Sequence, residues 1–139
     1  MTRIETVLLA TDASPASHAA EEQAIELASR LGVRLLVLSV VAGAPSARST
    51  RDVAIEGVVQ RARAVGAEAT GITWAGDAGE SIVEVAEAEG ADLIVVGTHE
   101  RGAVGRLFLG SVSDYVVRHA TCPVMVVRPA RVVGGTATG

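Results

Sequence analysis

Lysine is absent from this chain, and all twelve basic residues are arginines. That excludes a lysine nucleophile, a Schiff base and the lysine of a conventional P-loop. The single cysteine, Cys122, excludes an intrachain disulfide, and its place just before Pro123-Val-Met-Val-Val127 reads as a buried, inert thiol. One tryptophan, one tyrosine and one phenylalanine cannot build a base-stacking platform, so Trp74 reads as a packing residue. A net charge of -4 with acids and bases interspersed offers no basic stripe to a phosphate backbone, and nucleic acid is not an expected partner. The longest apolar runs, such as Leu35 to Leu38 and Leu93 to Val96, are far too short to cross a bilayer, so no membrane partner is expected either. The opening Met1-Thr-Arg-Ile-Glu-Thr lacks the apolar centre of a signal peptide, and the expectation is a cytoplasmic protein.

Three histidines, His18, His99 and His119, show no metal-ligand spacing, and no serine sits in a G-x-S-x-G elbow. Zinc chemistry and covalent hydrolysis therefore have little support. What is present is apolar: 49% of the 139 residues are hydrophobic and 20% charged, enough for one domain with a full core. We expect that domain over residues 1–128 and a disordered tail over residues 129–139.

Hydrophobic periodicity predicts a strand over Thr6–Ala10, then a helix to Arg30 that Ser14 caps, with Pro15 in its first turn. Ala20, Ala24, Leu27, Ala28 and Leu31 share its apolar face, while Glu21, Glu22 and Glu26 fall largely elsewhere. A second strand follows over Arg34–Val41. Ala42 to Thr50, rich in Gly, Pro and Ser, predicts a mobile surface loop, and a second helix is expected from Arg51 or Asp52 to Val65. Glu68–Trp74 reads as strand three, Glu80–Glu89 as helix three, Asp92–Val96 as strand four, a segment ending near His119 as helix four, and Val124–Arg128 as strand five. Alternation of this kind, with several strands apolar on both faces, predicts an α/β fold: a doubly wound five-stranded parallel sheet with helices on both faces.

Ligands of such sheets bind beyond the carboxyl ends of the strands where the winding reverses. With strand order 3-2-1-4-5 the loops after strands one and four meet there. They carry Thr11-Asp12 and Gly97-Thr-His-Glu-Arg-Gly-Ala-Val-Gly-Arg-Leu-Phe-Leu-Gly-Ser111. Gly97, Gly102, Gly105 and Gly110 leave backbone N–H groups bare, and Ser111 and Ser113 add hydroxyls at a helix start whose dipole favours an anion. The same glycines also suit a long connection with positive φ angles. Asp12 suits a nucleotide base or sugar, or a metal; it equally suits an Asx turn or a helix cap. Arg101 and Arg106 can neutralise phosphates or simply be solvated.

Four segments, in order, resemble the universal stress protein family: Val7-Leu-Leu-Ala-Thr-Asp12, Ala91-Asp-Leu-Ile-Val-Val-Gly-Thr-His99, Leu109-Gly-Ser-Val-Ser113 and Cys122-Pro-Val-Met-Val-Val-Arg128. The likeness covers nearly all of Thr6 to Arg128. It implies a fold like that of the adenine nucleotide α-hydrolases and a loop written G-x2-G-x9-G-[ST], in which Gly97 matches the first glycine, Gly110 the third and Ser111 the hydroxyl. Glu100 stands where the second glycine belongs, and Gly102 follows two residues later. A carboxylate there adds bulk and negative charge beside expected phosphates, which weakens ATP, favours fewer phosphates or demands a bridging cation.

The resemblance further implies an adenine and ribose pocket at Ala10, Thr11, Asp12 and Val40, and a phosphate cradle at Gly97, Thr98, His99, Gly102, Gly110, Ser111, Val112 and Ser113. The implied ligand is ATP or AMP, with Mg where Asp12 or Glu100 reaches a nucleotide-bound ion. A homodimer through the last strand is also implied. The function so implied is a nucleotide-dependent signal or stability switch in stress response. A dimeric interaction module that Glu100 closes to ATP, and a slow ATP hydrolase, remain as alternatives.

Overall fold

In the computed structural model the described residues are 3–42, 45–98 and 110–129. The chain alternates β1 (Thr6–Ala10), α1 (His18–Leu31), β2 (Arg34–Val41), α2 (Pro45–Ala64), β3 (Glu68–Ala75), α3 (Ala78–Glu89), β4 (Leu93–Gly97), α4 (Ser111–His119) and β5 (Val124–Val127). All neighbouring strands are parallel, in the order β3-β2-β1-β4-β5. Winding therefore runs outward from β1 to β3, then crosses back to β4 and β5. The reversal lies between β1 and β4.

Alternation along each strand divides the core into two layers. Val7, Leu9, Leu35, Val37 and Val95 face α1 and α2, whereas Leu8, Leu36, Leu38, Ile94 and Val96 face α3 and α4. The central strands are apolar on both sides because helices cover both sides. Each fully buried aliphatic side chain contributes about 1.5–3 kcal/mol over an exposed one. β5 is an edge strand and its four residues are only half-buried. At Gly71 on β3 an added Cβ would lie 2.8 Å from Ile55 Cγ2 and 3.1 Å from Val59 Cγ2, so α2 packs onto β3 at a distance that only glycine permits.

Several expectations change. The segment predicted as a loop up to Thr50 is helical from Pro45, six residues before the expected start. Proline is compatible with a first helical position, and two arginines tie this first part of α2 to the sheet. Arg48 Nη2 donates to the Thr73 carbonyl at 2.9 Å and Arg51 Nη1 to Ser39 Oγ at 2.6 Å. Ser14 does not cap α1: a single 3-10 turn, Pro15–Ser17, intervenes, and the Ser14 hydroxyl makes no capping bond. Leu31 and Val65 are exposed, Leu31 on the last turn of α1 and Val65 just past the end of α2. Glu21, assigned to the outer face, is buried, for a reason that belongs to the site. Trp74 is exposed rather than packed, and Cys122 is half-buried rather than buried. Among the described residues no helix is long and apolar enough to cross a membrane.

Candidate functional site

A cavity of about 230 Å³ opens at the carboxyl ends of β1 and β4, where the winding reverses. β1 supplies Ala10 and, just beyond it, Thr11 and Asp12; β2 supplies Leu38 and Val40; β4 supplies Val96 and Gly97. α3 contributes Ala78 and Ile82, one turn apart, and Gly110 to Ser113 close the remaining side. The walls are apolar and the rim is polar, as small-molecule sites usually are.

The β1 side is held rigidly. Thr11 N–H donates to the Leu38 carbonyl at 3.0 Å, fixing the end of β1 to β2. Asp12 forms an Asx turn: its Oδ1 accepts from Ser14 N–H at 2.9 Å and from Ser17 Oγ at 2.7 Å. Asp12 is exposed, so its carboxylate organises this loop from the cavity mouth. Ala13 turns the chain through φ 64°, a left-handed conformation unusual for alanine, and its N–H donates to Thr11 Oγ1 at 3.0 Å.

Beneath this turn lies the buried Glu21. Thr11 Oγ1 donates to Glu21 Oε2 at 2.7 Å, and Arg61 Nη2 of α2 donates to Glu21 Oε1 at 2.9 Å. His18 Nδ1 stands 3.7 Å from the same carboxylate. A carboxylate is tolerated here because charged and polar donors replace the water it loses. Helical periodicity assigned Glu21 to solvent because nothing in the local sequence shows that Arg61, forty residues on, reaches it.

The α4 side offers donors. Gly110 is the N-cap residue of α4 and has no side chain to cap with, and among the described residues no side-chain hydrogen bond closes that end. The first N–H groups of a helix have no intrahelical acceptor, and Ser111 to Ser113, which carry these groups in α4, line the cavity. Ser113 Oγ donates to the Gly110 carbonyl at 3.2 Å, which leaves its backbone N–H as its contribution to the rim. By contrast, α3 is capped by its own Asp77, whose Oδ1 accepts from Glu80 N–H at 3.0 Å. A helix start capped by glycine suits an anion better than one that already holds a carboxylate.

Gly97 sits where β4 passes close to α1: an added Cβ would meet Ala20 Cβ at 3.5 Å and the Ala16 carbonyl at 3.9 Å. Thr98 N–H donates to the Val127 carbonyl at 3.1 Å, while the hydroxyl of Thr98, a residue 1% exposed, has no partner among the described residues. His99 and Gly102, and with them Glu100, Arg101, Gly105 and Arg106, lie outside the described residues. Of the residues singled out from sequence, Ala10, Thr11, Asp12, Val40, Gly97 and Gly110 to Ser113 thus converge on one cavity, with Thr98 buried beside it. Sequence reasoning missed Ser17, Leu38, Ala78, Ile82 and Val96. Leu38 and Val96 were recognisable as the same-face partners, two residues away, of Val40 and of Thr98. Among the described residues no group of three or more His, Cys, Asp or Glu is placed to hold a metal ion.

A sequence model described as the universal stress protein family matches residues 3–128. The chain belongs to the universal stress protein family. A universal stress protein of Thermus aquaticus is 39% identical over 135 residues, covering 89% of this chain and 98% of its own length. Among solved structures, a universal stress protein in complex with cAMP superposes with a TM-score of 0.76 at 30% identity, over 93% of this chain and 100% of its own. A universal stress protein family protein from Arabidopsis thaliana with AMP bound gives a TM-score of 0.69 at 25% identity, over 91% and 92% of the two chains. Adenine nucleotide binding therefore occurs in relatives of this universal stress protein.

Proposed function

We propose that this universal stress protein binds an adenine nucleotide, AMP or ATP, in the cavity between the carboxyl ends of β1 and β4. The observation that carries the reading is the N-terminus of α4, which has a glycine, Gly110, as its cap residue and lines that cavity at the switch point of the sheet. Adenine and ribose occupy the apolar part walled by Leu38, Val40 and Ile82, with Asp12 at the sugar, and the phosphates meet the N–H groups of Ser111 to Ser113. At about 230 Å³ the cavity takes a nucleoside-sized group and leaves phosphates at its rim. The complexes of relatives with cAMP and AMP support the choice of ligand.

The nucleotide acts as a conformational or stability signal in stress response. Glu100, in place of a loop glycine, favours AMP over ATP in the absence of Mg by adding negative charge beside the phosphates. Pairing of two copies through β5, a half-buried edge strand, suits the Val124–Val127 segment. Calorimetric titration with AMP, ADP and ATP, with and without Mg, tests the reading. One-site binding that weakens in Asp12→Ala and Ser111→Pro is expected. Absence of binding for all three at millimolar concentration refutes it. The Glu100→Gly variant strengthens ATP binding if the carboxylate is the obstacle, and an unchanged affinity removes Glu100 from the account.

A further inference from the structure

In the parallel pairing of β2 with β3, Leu38 lies opposite Ile72 and Val40 opposite Trp74. Side chains alternate faces along a strand, so these four share the face that meets α3 and α4. Leu38 and Val40 line the cavity, and Ile72 packs into the core on the same side. Trp74 comes next along that face, roughly 5 Å across the strands from Val40, yet it is 45% exposed.

Its ring lies beside the turn that follows β3. A Cβ added at Gly76 would lie 3.9 Å from Trp74 Cδ1 and 3.0 Å from Ser81 Oγ, so the indole edge lies over the turn that leads into Ala78 and Ile82. Both of those residues line the cavity. Trp74 is not itself among the residues that line the cavity; it stands one strand beyond the lining residue Val40, on the side of the sheet away from β4. Its exposed face is apolar area that a stacked base would remove from water.

We propose that the Trp74 indole is the outer wall of the base subsite, and that a purine entering beside Val40 covers it. This rests on the nucleotide reading above and adds what that reading leaves open: a contact that selects for an extended aromatic base over a sugar phosphate. Base–aromatic stacking is sequence-tolerant and strong enough to register in affinity.

Trp74 is the only tryptophan, so its emission reports the contact directly. AMP is titrated into the wild-type chain by calorimetry and, in parallel, by tryptophan emission, and calorimetry is repeated on Trp74→Ala and Trp74→Phe. The expected result is an emission change with the calorimetric midpoint, about tenfold weaker AMP binding in Trp74→Ala (about 1.4 kcal/mol), and recovery to within about threefold in Trp74→Phe. Wild-type binding with unchanged emission and an affinity within about twofold in Trp74→Ala overturns the proposal while leaving the nucleotide reading intact. Equal losses in the alanine and phenylalanine variants also overturn it, because a stacking wall is rescued by another ring. No binding to the wild-type chain by calorimetry refutes the nucleotide reading itself, and the base wall with it.

Discussion

Removing the Arg61 guanidinium strands a carboxylate that the rest of the fold keeps from water. The Glu21 side chain is 4% exposed and Arg61 is 43% exposed, with 2.9 Å between Nη2 and Oε1. Arg61→Ala leaves Glu21 with the Thr11 hydroxyl as its close donor and no compensating cation within bonding distance, His18 being 3.7 Å away. Loss of one partner of a fully buried pair costs about 3–5 kcal/mol. Here Arg61 is nearly half in solvent and water can enter where it stood, so a hydrogen bond to a charged group, about 1.5–3 kcal/mol, is the better guide. We expect about 2 kcal/mol, equivalent to a fall in Tm of about 6–10 °C for a chain of this size. Urea unfolding followed by far-ultraviolet circular dichroism reads it as a lower midpoint at unchanged slope. In the Glu21→Gln background, where no buried charge needs a partner, Arg61→Ala costs at least about 1 kcal/mol less. A cost below about 0.5 kcal/mol in the wild-type background, or no coupling between the two sites, shows Arg61 and Glu21 to be an ordinary surface pair and refutes the reasoning.

Further expectations concern packing, backbone and the thiol. Gly79→Ala places a methyl group 2.8 Å from Tyr115 Cδ1 and 2.9 Å from Tyr115 Cγ, pushing α3 and α4 apart; overpacking of about 1–3 kcal/mol exceeds the gain in helix propensity of up to about 1 kcal/mol, and chemical unfolding detects the net loss. Ala13→Gly relieves a left-handed alanine at φ 64° and stabilises by about 0.5 kcal/mol, since the relief of about 1–2 kcal/mol exceeds the entropy cost of glycine; a destabilised variant contradicts this. Burial, and secondarily the Asp92 carboxylate, raise the Cys122 thiol above its ordinary value. The folded chain therefore keeps that proton where the unfolded chain has lost it. The associated stability is complete below the unfolded pKa of about 8.5 and declines as pH rises through the folded value. Alkylation of Cys122 at pH 8.5 is accordingly slower in the folded chain than in urea, measured by mass spectrometry, and equal rates contradict the assignment.

The strands were legible because parallel strands buried on both faces write themselves as continuous apolar runs. Thr6–Ala10 and Arg34–Val41 keep the predicted bounds, and the sheet has the predicted order. The start of α2 was not legible. Its Gly, Pro and Ser content carries a turn signal, while the bonds from Arg48 to Thr73 and from Arg51 to Ser39 are tertiary and invisible to a local window. Glu21 and Trp74 failed for the same reason in opposite senses. Residue type alone sends a glutamate outward and a tryptophan inward; Arg61 and Thr11 draw one in, and a place near the end of an edge strand leaves the other out. Asp12 illustrates a different limit. It sits where the resemblance places a ligand contact and also makes the Asx turn that the residue type allows.

The central claim is that the cavity between β1, β4 and the N-terminal end of α4 takes an adenine nucleotide. Calorimetric titration of AMP into the purified wild-type chain tests it most directly. The account predicts one saturable site per chain, weakened when Ser111→Pro removes a backbone donor at the first position of α4. Heats no larger than those of dilution at millimolar AMP contradict it.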